Sequence, residues 1–252
     1  MASRLPEGMG GLVKGLAILE SFSPRRSRLT ITEAAAASET SRASARRCLL
    51  TLVELGYLGY DGKFFRPQAR LLALSAGYAG TRALPQVAQP FLAAARDRLN
   101  ESISLAVLDG ELGLFVARAE AERLVTTGIQ TGTRMDLYAS ATGRVLLAGW
   151  PDERVAAYLD RTSLKARTNH SLVGKRALRQ AVRKTRMAGY GCTDQELEIG
   201  LRSVAVPVFD ADGAVVAAMS ASASSARITV AQMVRSFVPV LRKHAGELSR
   251  IL

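Results

Sequence analysis

The first apolar pattern of the chain has the period of an α-helix. Apolar residues recur every three or four positions between Leu12 and Phe22, which predicts a short amphipathic helix. A second helix is predicted over residues 31–37, because Thr30 followed three positions later by Glu33 forms a capping box. Two short helices therefore open the chain.

A third helix is predicted over residues 42–55. Ser41 offers a hydroxyl cap at its start, and Gly56 closes it. We expect one face to pack on the body of the unit, the face formed by Ala45, Cys48, Leu49, Leu52 and Leu55. The opposite face carries Ala43, Ser44, Arg47 and Thr51, with Arg42 and Arg46 on its edge.

A β-hairpin is predicted directly after this helix. Residues 57–60 and 64–66 are rich in Tyr and Phe, and they flank Asp61-Gly62, a strong signal for a tight turn between two strands. Pro67 ends the segment. The order of elements over residues 1–67 is therefore helix, helix, turn, helix and hairpin.

The remaining residues alternate between helical and strand-like periods. Residues 68–100 are predicted as helix in two pieces, with a break near 81–85. Strands are then predicted over 103–108, 112–117, 124–129, 204–209 and 214–222. Helices are predicted over 142–149, 152–161, 175–189 and 230–252. This grouping indicates an α+β fold in which helices pack on a sheet.

The net charge favours a polyanionic partner. Thirty-four Lys and Arg residues exceed 22 Asp and Glu residues, which leaves a formal charge of +12. Nucleic acid is the first candidate and an anionic membrane surface the second. Nine of the basic residues fall between Arg161 and Arg186 with no acidic residue among them. We interpret that run as a solvated loop and helix face, with a supplementary contact to DNA as the alternative.

The sequence offers little for catalysis, metal binding or a membrane span. Two Cys and two His residues are too few for a disulfide framework or a zinc site, so no metal and no cofactor are expected. The best carboxylate cluster is Asp194, Glu196 and Glu198, but nothing near it supplies a second catalytic role. No run approaches the roughly 18 apolar residues that a membrane-spanning helix needs. We therefore expect a cytoplasmic protein with no catalytic residues.

The strongest functional pattern lies in the first 67 residues. A short helix, a longer basic helix and a basic hairpin in this order indicate a winged helix-turn-helix, whose second motif helix enters the major groove of DNA. Arginine can pair bidentately with guanine, and serine can bond to phosphates or bases. The candidate DNA-binding residues are Ser41, Arg42, Ser44, Arg46, Arg47, Lys63 and Arg66. The alternative is that these arginines form only a solvated helix face.

A second pattern suggests a pocket for a small polar or carboxylated ligand. Strand alternation places Val216, Ala218, Ser220, Ser222 and Ser224 on one face, and Leu201, Ser203, Ala205 and Pro207 share a face of the preceding strand. Small hydroxyl residues on facing strands leave volume and offer hydrogen-bond donors. The helix that begins near Ser140 also presents free backbone N–H groups to an anion. Small residues that only let helices pack closely on a sheet explain the same pattern, so both interpretations stay open.

Five segments in order resemble the IclR family of bacterial transcriptional regulators. They are VKGLAILESFSP (13–24), ITEAAAASETSRASARRCLLTLVELGYL (31–58), ESISLAVLDG (101–110), YASATGRVLLA (138–148) and GYGCTDQELEIGLRSVAVPVFDADG (189–213). The resemblance covers essentially the whole chain. It is strongest to the branch that regulates aromatic-acid catabolism through the β-ketoadipate pathway.

The resemblance implies a winged helix-turn-helix over residues 1–67, a linker helix over 68–84, and a GAF-like effector-binding domain over 85–252. It implies a homodimer, or a dimer of dimers, on palindromic double-stranded promoter DNA, under the control of a small organic acid that is aromatic-derived or dicarboxylic. The recognition helix falls on 41–52. The implied effector residues are Ser140, Ala141, Thr142, Gly143, Asp194, Glu196, Leu201, Ser203, Ser220 and Ser222. Some relatives have Cys where Ser203 stands here.

Two other classes of protein stay open from the residues alone. One is an enzyme that acts on a small organic acid through Asp194 or Glu196. The other is a DNA-binding protein without sequence specificity, which would bind random and promoter DNA equally well and with steep salt dependence.

Overall fold

The chain forms two compact units, Met1–Thr81 and Arg82–Leu252. The computed structural model describes residues 9–23, 26–74, 84–122 and 129–252. The predicted linker helix is therefore described only in part, with residues 71–74 helical and 75–83 outside the described residues. The strand predicted over 124–129 likewise lies almost wholly outside them. The domain boundaries at residues 67 and 84 stay predictions.

The first unit has the predicted order of elements. Its helices are α1 (Gly10–Glu20), α2 (Ile31–Ala37) and α3 (Arg42–Glu54), and its strands are β1 (Leu58–Tyr60) and β2 (Phe65–Pro67). The two strands pair antiparallel as a hairpin after α3. The helix-turn-helix and its hairpin wing are thus confirmed.

Local side-chain bonds fix where α2 and α3 begin. The Thr30 hydroxyl accepts the backbone N–H of Glu33, and the Glu33 carboxylate accepts the backbone N–H of Thr30 at 2.7 Å, which completes the predicted capping box. The Ser41 hydroxyl accepts the backbone N–H of Ser44 at 3.2 Å. Each cap satisfies donors that a helix start leaves without an intrahelical partner.

The core of this unit joins the helices to the wing. Ile18, Leu49 and Phe65 are almost completely buried, and Leu29 is bonded to Phe65 in an isolated antiparallel bridge. This bridge ties the segment before α2 to the wing. The expected apolar face of α3 is correct for Ala45, Leu49 and Leu52 but wrong for Leu55, which is 48 % exposed. Leu55 instead lines a solvent-open groove together with Leu12 and Leu16 of α1.

A six-stranded antiparallel sheet forms the centre of the second unit. Its strands are β3 (Ile103–Asp109), β4 (Leu112–Ala119), β5 (Arg134–Asp136), β6 (Gly191–Asp194), β7 (Leu201–Phe209) and β8 (Val215–Ser224). They lie in the order β5-β4-β3-β8-β7-β6. The four strands predicted over 103–108, 112–117, 204–209 and 214–222 are present. Strands β5 and β6 were not predicted, because three or four residues are too few to show a period.

Helices cover both faces of this sheet. They are α4 (Leu84–Leu99), α5 (Ala141–Ala148), α6 (Asp152–Arg161), α7 (Lys175–Ala188) and α8 (Val230–Ser249), and a 3₁₀ turn over Leu137–Ala139 precedes α5. Apolar residues of α4 and α8 pack on one face, and those of α5, α6 and α7 on the other. We call the second the α5 face. No helix among the described residues has the length and apolar character to cross a membrane.

These elements differ from the sequence predictions in two places. The expected helix break included Pro85, but Pro85 lies in the first turn of α4, where proline is tolerated. A bulge in β8 also shifts the register, so that Val208 faces Ala217 while Phe209 faces Val215. The predicted alternation is therefore wrong at the start of β8: Val215, not Val216, packs with α5.

Three glycines let α5 lie very close to its neighbours. A Cβ atom on Gly143 would lie 2.1 Å from the carbonyl oxygen of Leu137, and one on Gly191 would lie 2.6 Å from that of Ala141. At the other end of α5, a Cβ on Gly149 would lie 2.8 Å from the Cβ of Val215. Backbone, unlike a flexible side chain, cannot move aside without shifting the helix.

We expect Gly143→Ala to destabilise the protein by about 1–3 kcal/mol or more, because the added methyl overlaps the backbone of Leu137. Urea unfolding followed by the fluorescence of Trp150, the single tryptophan of the sequence, measures the change. Gly246→Ala in α8 is the matched control, since no described atom beyond the neighbouring backbone of its own helix lies within 4 Å of its Cβ position. The control should raise stability by up to about 1 kcal/mol. Equal effects of the two substitutions would contradict the assigned contact.

Candidate functional site

A row of exposed cations runs along the first two turns of α3. Arg42, Arg46 and Arg47 are all exposed. Within the part of the chain that the structure describes, no ion pair joins any of the three to an acidic side chain. Their charge is therefore directed at solvent, as a surface that binds a polyanion requires.

The two serines predicted to bind DNA also take part in hydrogen bonds within the protein. The Ser41 hydroxyl lies 3.1 Å from that of Ser44, in addition to capping the helix. Ser44 is half-buried, and together with Arg47 it lines an apolar groove of about 710 Å³ between α1 and α3. The structure thus brings Ser44 and Arg47 to the α1 side of the helix, whereas Arg46 is not among the groove residues.

The wing presents two of the predicted cations at its turn. The backbone N–H groups of Phe64 and Lys63 hold the pKa of Asp61 below its usual range, so this carboxylate stays charged to a lower pH than an ordinary aspartate. Arg66 pairs with Asp61 at 3.0 Å, with both side chains largely exposed. Lys63 instead lies over the Phe64 ring, 5.2 Å from its centre.

One cation beside the wing was missed among the candidate site residues. Arg28 is exposed, and its guanidinium lies 4.4 Å from the centre of the Phe64 ring. It also lines a surface recess of about 840 Å³ with Arg66. The signal was the cluster of basic residues between the first two helices. The bridge between Leu29 and Phe65 brings that cluster to the wing. The spacing of residues along the sequence does not predict this contact.

Three of the predicted effector serines meet on the α5 face of the sheet. Ser203 and Ser222 face each other across β7 and β8, with 2.8 Å between their hydroxyl oxygens. Ser220 is buried, and its hydroxyl donates to the backbone carbonyl of Ser104 at 3.5 Å. They share this face with Ala205, which packs with α5. Leu201 begins the same strand, two residues before Ser203, and is half-buried.

Asp194 lies on the other face of the sheet. It pairs in register with Arg202, and its carboxylate accepts the Arg202 Nε at 2.7 Å. Arg202 in turn donates to backbone carbonyls before α8. The β6 residue that faces Ser203 is Thr193, which is buried. Sequence reasoning missed Thr193 because β6 was not predicted as a strand.

Glu196 is held in a buried ion pair. The two Nη atoms of Arg144, whose side chain is 4 % exposed, donate to its carboxylate, and the Nη1 bond measures 2.8 Å. The same carboxylate accepts the backbone N–H of Leu172, while Arg144 also donates to the carbonyl of Cys192. The Arg144 Nε is buried, and none of the residues that the structure describes forms a hydrogen bond with it. The pair therefore connects α5, β6 and the segment before α7.

The residues predicted at the start of α5 are all buried. The hydroxyl of Ser140 accepts the backbone N–H of Gly143 at 3.0 Å, and the carbonyl of Ala141 lies over Gly191. Thr142 is also buried. The structure brings this helix start to the same face of the sheet as the three serines.

A small apolar cluster and a buried cation also lie on this face, and neither was predicted as part of the site. The apolar cluster consists of Ala106, Phe115 and Met135, with Ile129 and Leu197 packed against it. Arg118 of β4 faces Ser104 of β3 in register, and its Nη1 donates to the Ser104 hydroxyl at 2.8 Å. Strand pairing places these residues together, and their positions along the chain give no sign of it.

Comparison with known proteins identifies the family. Residues 11–62 match the IclR helix-turn-helix domain, and residues 76–250 match the C-terminal domain of the bacterial transcriptional regulator IclR. The chain belongs to the IclR family. The predicted resemblance, the fold class and the function as a DNA-binding transcriptional regulator are confirmed. The relatives are regulators, so the alternative of an enzyme is not supported.

Two relatives of this IclR-family chain match it over nearly its whole length. The Pca regulon regulatory protein of Pseudomonas putida is 38 % identical over 96 % of this chain and 84 % of its own length. The p-hydroxybenzoate hydroxylase transcriptional activator of Acinetobacter baylyi is 32 % identical, over 99 % and 94 %.

Solved structures match the whole fold. A transcriptional regulator of Rhodococcus sp. RHA1 is 39 % identical, with a TM-score of 0.83, over 96 % of this chain and 98 % of that one. An IclR homolog of Microbacterium hydrocarbonoxydans complexed with 4-hydroxybenzoate is 25 % identical, also with a TM-score of 0.83 and the same coverage.

We expect Glu196→Ala to cost about 3–5 kcal/mol of stability, because it leaves the Arg144 cation buried without its partner. Urea unfolding followed by Trp150 fluorescence measures the loss. Asp152→Ala is the control, since it breaks two ion pairs of an exposed carboxylate with Arg183 and Arg186, and it should cost far less. Equal losses would contradict a structural role for the buried pair.

Proposed function

We propose that this IclR-family regulator binds a palindromic promoter as a homodimer in the cytoplasm, and that an aromatic acid bound in its second unit controls this binding. The observation that supports the DNA-binding part most directly is the row of exposed cations on α3 beside a basic wing. The helix start of a recognition helix meets base edges and phosphates in this class of motif.

We assign three roles within the DNA-binding surface. Arg42, Arg46 and Arg47 contact bases or phosphates in the major groove, because all three lack an acidic partner among the described residues. Ser41 and Ser44 lie at the same helix start, and their hydroxyl groups can donate hydrogen bonds to phosphates. The wing cations are Lys63 and Arg66. They contact the backbone beside the groove, where Arg66 must exchange its exposed bond to Asp61 for a phosphate.

A homodimer is supported by an exposed apolar face on α1. Three apolar residues of this one short helix are each about half exposed or more, namely Leu12, Val13 and Leu16. A contiguous apolar surface of this kind is typical of a protein interface. A two-fold dimer would present two α3 helices to half-sites about one turn of DNA, or a multiple of it, apart.

We place the effector above the hydroxyl-lined part of the α5 face. Ser203, Ser220 and Ser222 are the floor, and the start of α5 together with Glu196 and Leu201 surrounds it. An aromatic acid is supported by the relative named for p-hydroxybenzoate hydroxylase and by the homolog complexed with 4-hydroxybenzoate. It is also supported by the apolar cluster around Phe115, which suits a ring. Asp194 faces away from this floor, so we give it the role of fixing β7 through Arg202.

Effector control requires two states of the dimer that differ in the spacing of the α3 helices. The ligand shifts their populations only by its difference in affinity for the two states. A coupling free energy of about 1–3 kcal/mol is typical. Either sign, activation or release from the promoter, satisfies this requirement.

We expect Arg42→Ala and Arg47→Ala each to weaken operator binding by about 1–3 kcal/mol, if each arginine makes a bidentate base contact. Gel-shift titration on an operator selected from a random DNA library measures the change. Arg98→Ala removes the same charge from an exposed position on α4 and should leave the affinity unchanged.

Unchanged affinity in both variants would remove the assignment of α3. Equal affinity of the wild type for operator and scrambled DNA, with steep salt dependence on both, would instead support the DNA binder without sequence specificity.

We expect Ser203→Leu and Ser220→Leu to abolish binding of 4-hydroxybenzoate while operator binding persists, because each leucine fills the space above the floor. Calorimetry measures ligand binding, and gel shift measures DNA binding. Ser236→Leu, on the exposed surface of α8, is the control and should bind both partners as the wild type does. Normal ligand affinity in both floor variants would contradict the placement of the pocket.

A further inference from the structure

An arginine is buried on the face of the sheet where the effector is proposed to bind. The side chain of Arg118 is only 7 % exposed, although the residue carries a full positive charge. Strand register places it directly opposite Ser104, which in turn lies opposite Ser220 of β8. Arg118, Ser104 and Ser220 therefore form one row across three strands, beside the pair of Ser203 and Ser222.

The row is held together by hydrogen bonds. Arg118 Nη1 donates to the Ser104 hydroxyl at 2.8 Å, and the Ser220 hydroxyl donates to the Ser104 carbonyl. The carboxylate of Glu120 lies 3.2 Å from the Arg118 Nε, but the Glu120 side chain is 58 % exposed. An ion pair with so exposed a partner is screened by water and contributes little. A ligand carboxylate that binds away from water gains more from the same guanidinium.

The apolar cluster lies one row away on the same face. Ala106 is two residues beyond Ser104 on β3, and it faces Phe115 of β4 in register. Two residues along a strand span roughly 7 Å. A cation and an apolar surface at this separation match a molecule with a carboxylate at one end and a ring at the other.

The acidic side chains near the floor do not oppose an anion. Glu196 is neutralised by Arg144, and Asp194 lies on the other face and is neutralised by Arg202. The Glu196 pair also fixes the segment that brings Leu197 onto the apolar cluster. These two carboxylates are therefore paired within the protein, and neither is left to repel a bound anion.

From this juxtaposition we infer that Arg118, positioned by Ser104, binds the carboxylate of the effector, and that the effector is an aromatic monocarboxylate with its ring against Phe115. The inference rests on the proposed function of the second unit as the effector-binding unit. It goes further in naming the group that recognises the charge and in excluding the dicarboxylic class as the preferred ligand.

The test compares two probes of nearly equal shape, the anionic 4-hydroxybenzoate and the neutral 4-hydroxybenzamide, by calorimetry on the full-length protein. We expect the wild type to bind the acid at least tenfold more tightly than the amide. Arg118→Gln should weaken binding of the acid at least tenfold and leave binding of the amide nearly unchanged. Arg118→Lys should retain part of the preference, because the charge remains but the bidentate geometry is lost.

Arg161→Gln is the matched control, since it removes an equal charge from an arginine whose partner, Glu111, is exposed. It should bind both probes as the wild type does. Should Arg118→Gln fail to fold, Ser104→Ala keeps the guanidinium but removes its anchor, and it should lower the affinity for the acid several-fold and not that for the amide. Adipate, a flexible dicarboxylate, should bind the wild type more weakly than 4-hydroxybenzoate.

Three results would overturn the inference. They are equal wild-type affinity for acid and amide, tight binding of the acid by a folded Arg118→Gln variant, and equal loss of both probes in the folded variants. Failure of the proposed function gives a different result, because the wild type then binds neither aromatic probe while still binding its operator.

Discussion

The second unit depends on how closely α5 approaches the sheet and the turn before it. Gly143, Gly191 and Gly149 remove the Cβ atoms that would otherwise collide with neighbouring atoms, two of them with backbone. Because α5 packs this closely on the sheet, Ala205 and Ala218 of the sheet are completely buried. The first residues of α5 then lie on the same face of the sheet as the hydroxyl residues of β7 and β8. The position of the proposed effector site is thus a consequence of close packing.

The same approach explains why a buried ion pair is present. Arg144 of α5 donates to the carbonyl of Cys192 in β6 and to the carboxylate of Glu196, two residues after that strand, and both side chains are almost completely buried. Such a pair contributes little net stability compared with apolar residues, but removing one partner is costly. Its effect is to fix the position of the segment after β6 relative to α5. The segment that begins at Glu196 is held against α5, and Leu197 is therefore held against the apolar cluster.

The arginines of the two units work in different dielectric surroundings. On α3 they face water, where salt screens their charge, so the contribution to DNA binding that we propose for them falls as ionic strength rises. In the second unit, Arg118 of β4 and Arg144 of α5 have side chains that are 7 % and 4 % exposed, and a charge in such surroundings interacts strongly with any group that approaches it. The exposed set suits a large polyanion that releases counterions, and Arg118 suits one small anion.

The sequence by itself determined the first unit almost completely, because caps, helical period and turn residues act over three or four positions. Thr30 with Glu33, Ser41, and Asp61 with Gly62 each specify a local structure without help from distant residues. It also determined the family, through motifs spread along the chain. The tertiary structure decided which residues meet across strands. The bulge at Val216 turns Val215 toward α5. The pairing of the short strand β6 with β7 places Thr193 opposite Ser203 and Asp194 on the other face. Side chains alternate on a strand, and an error of one position moves a residue to the other face.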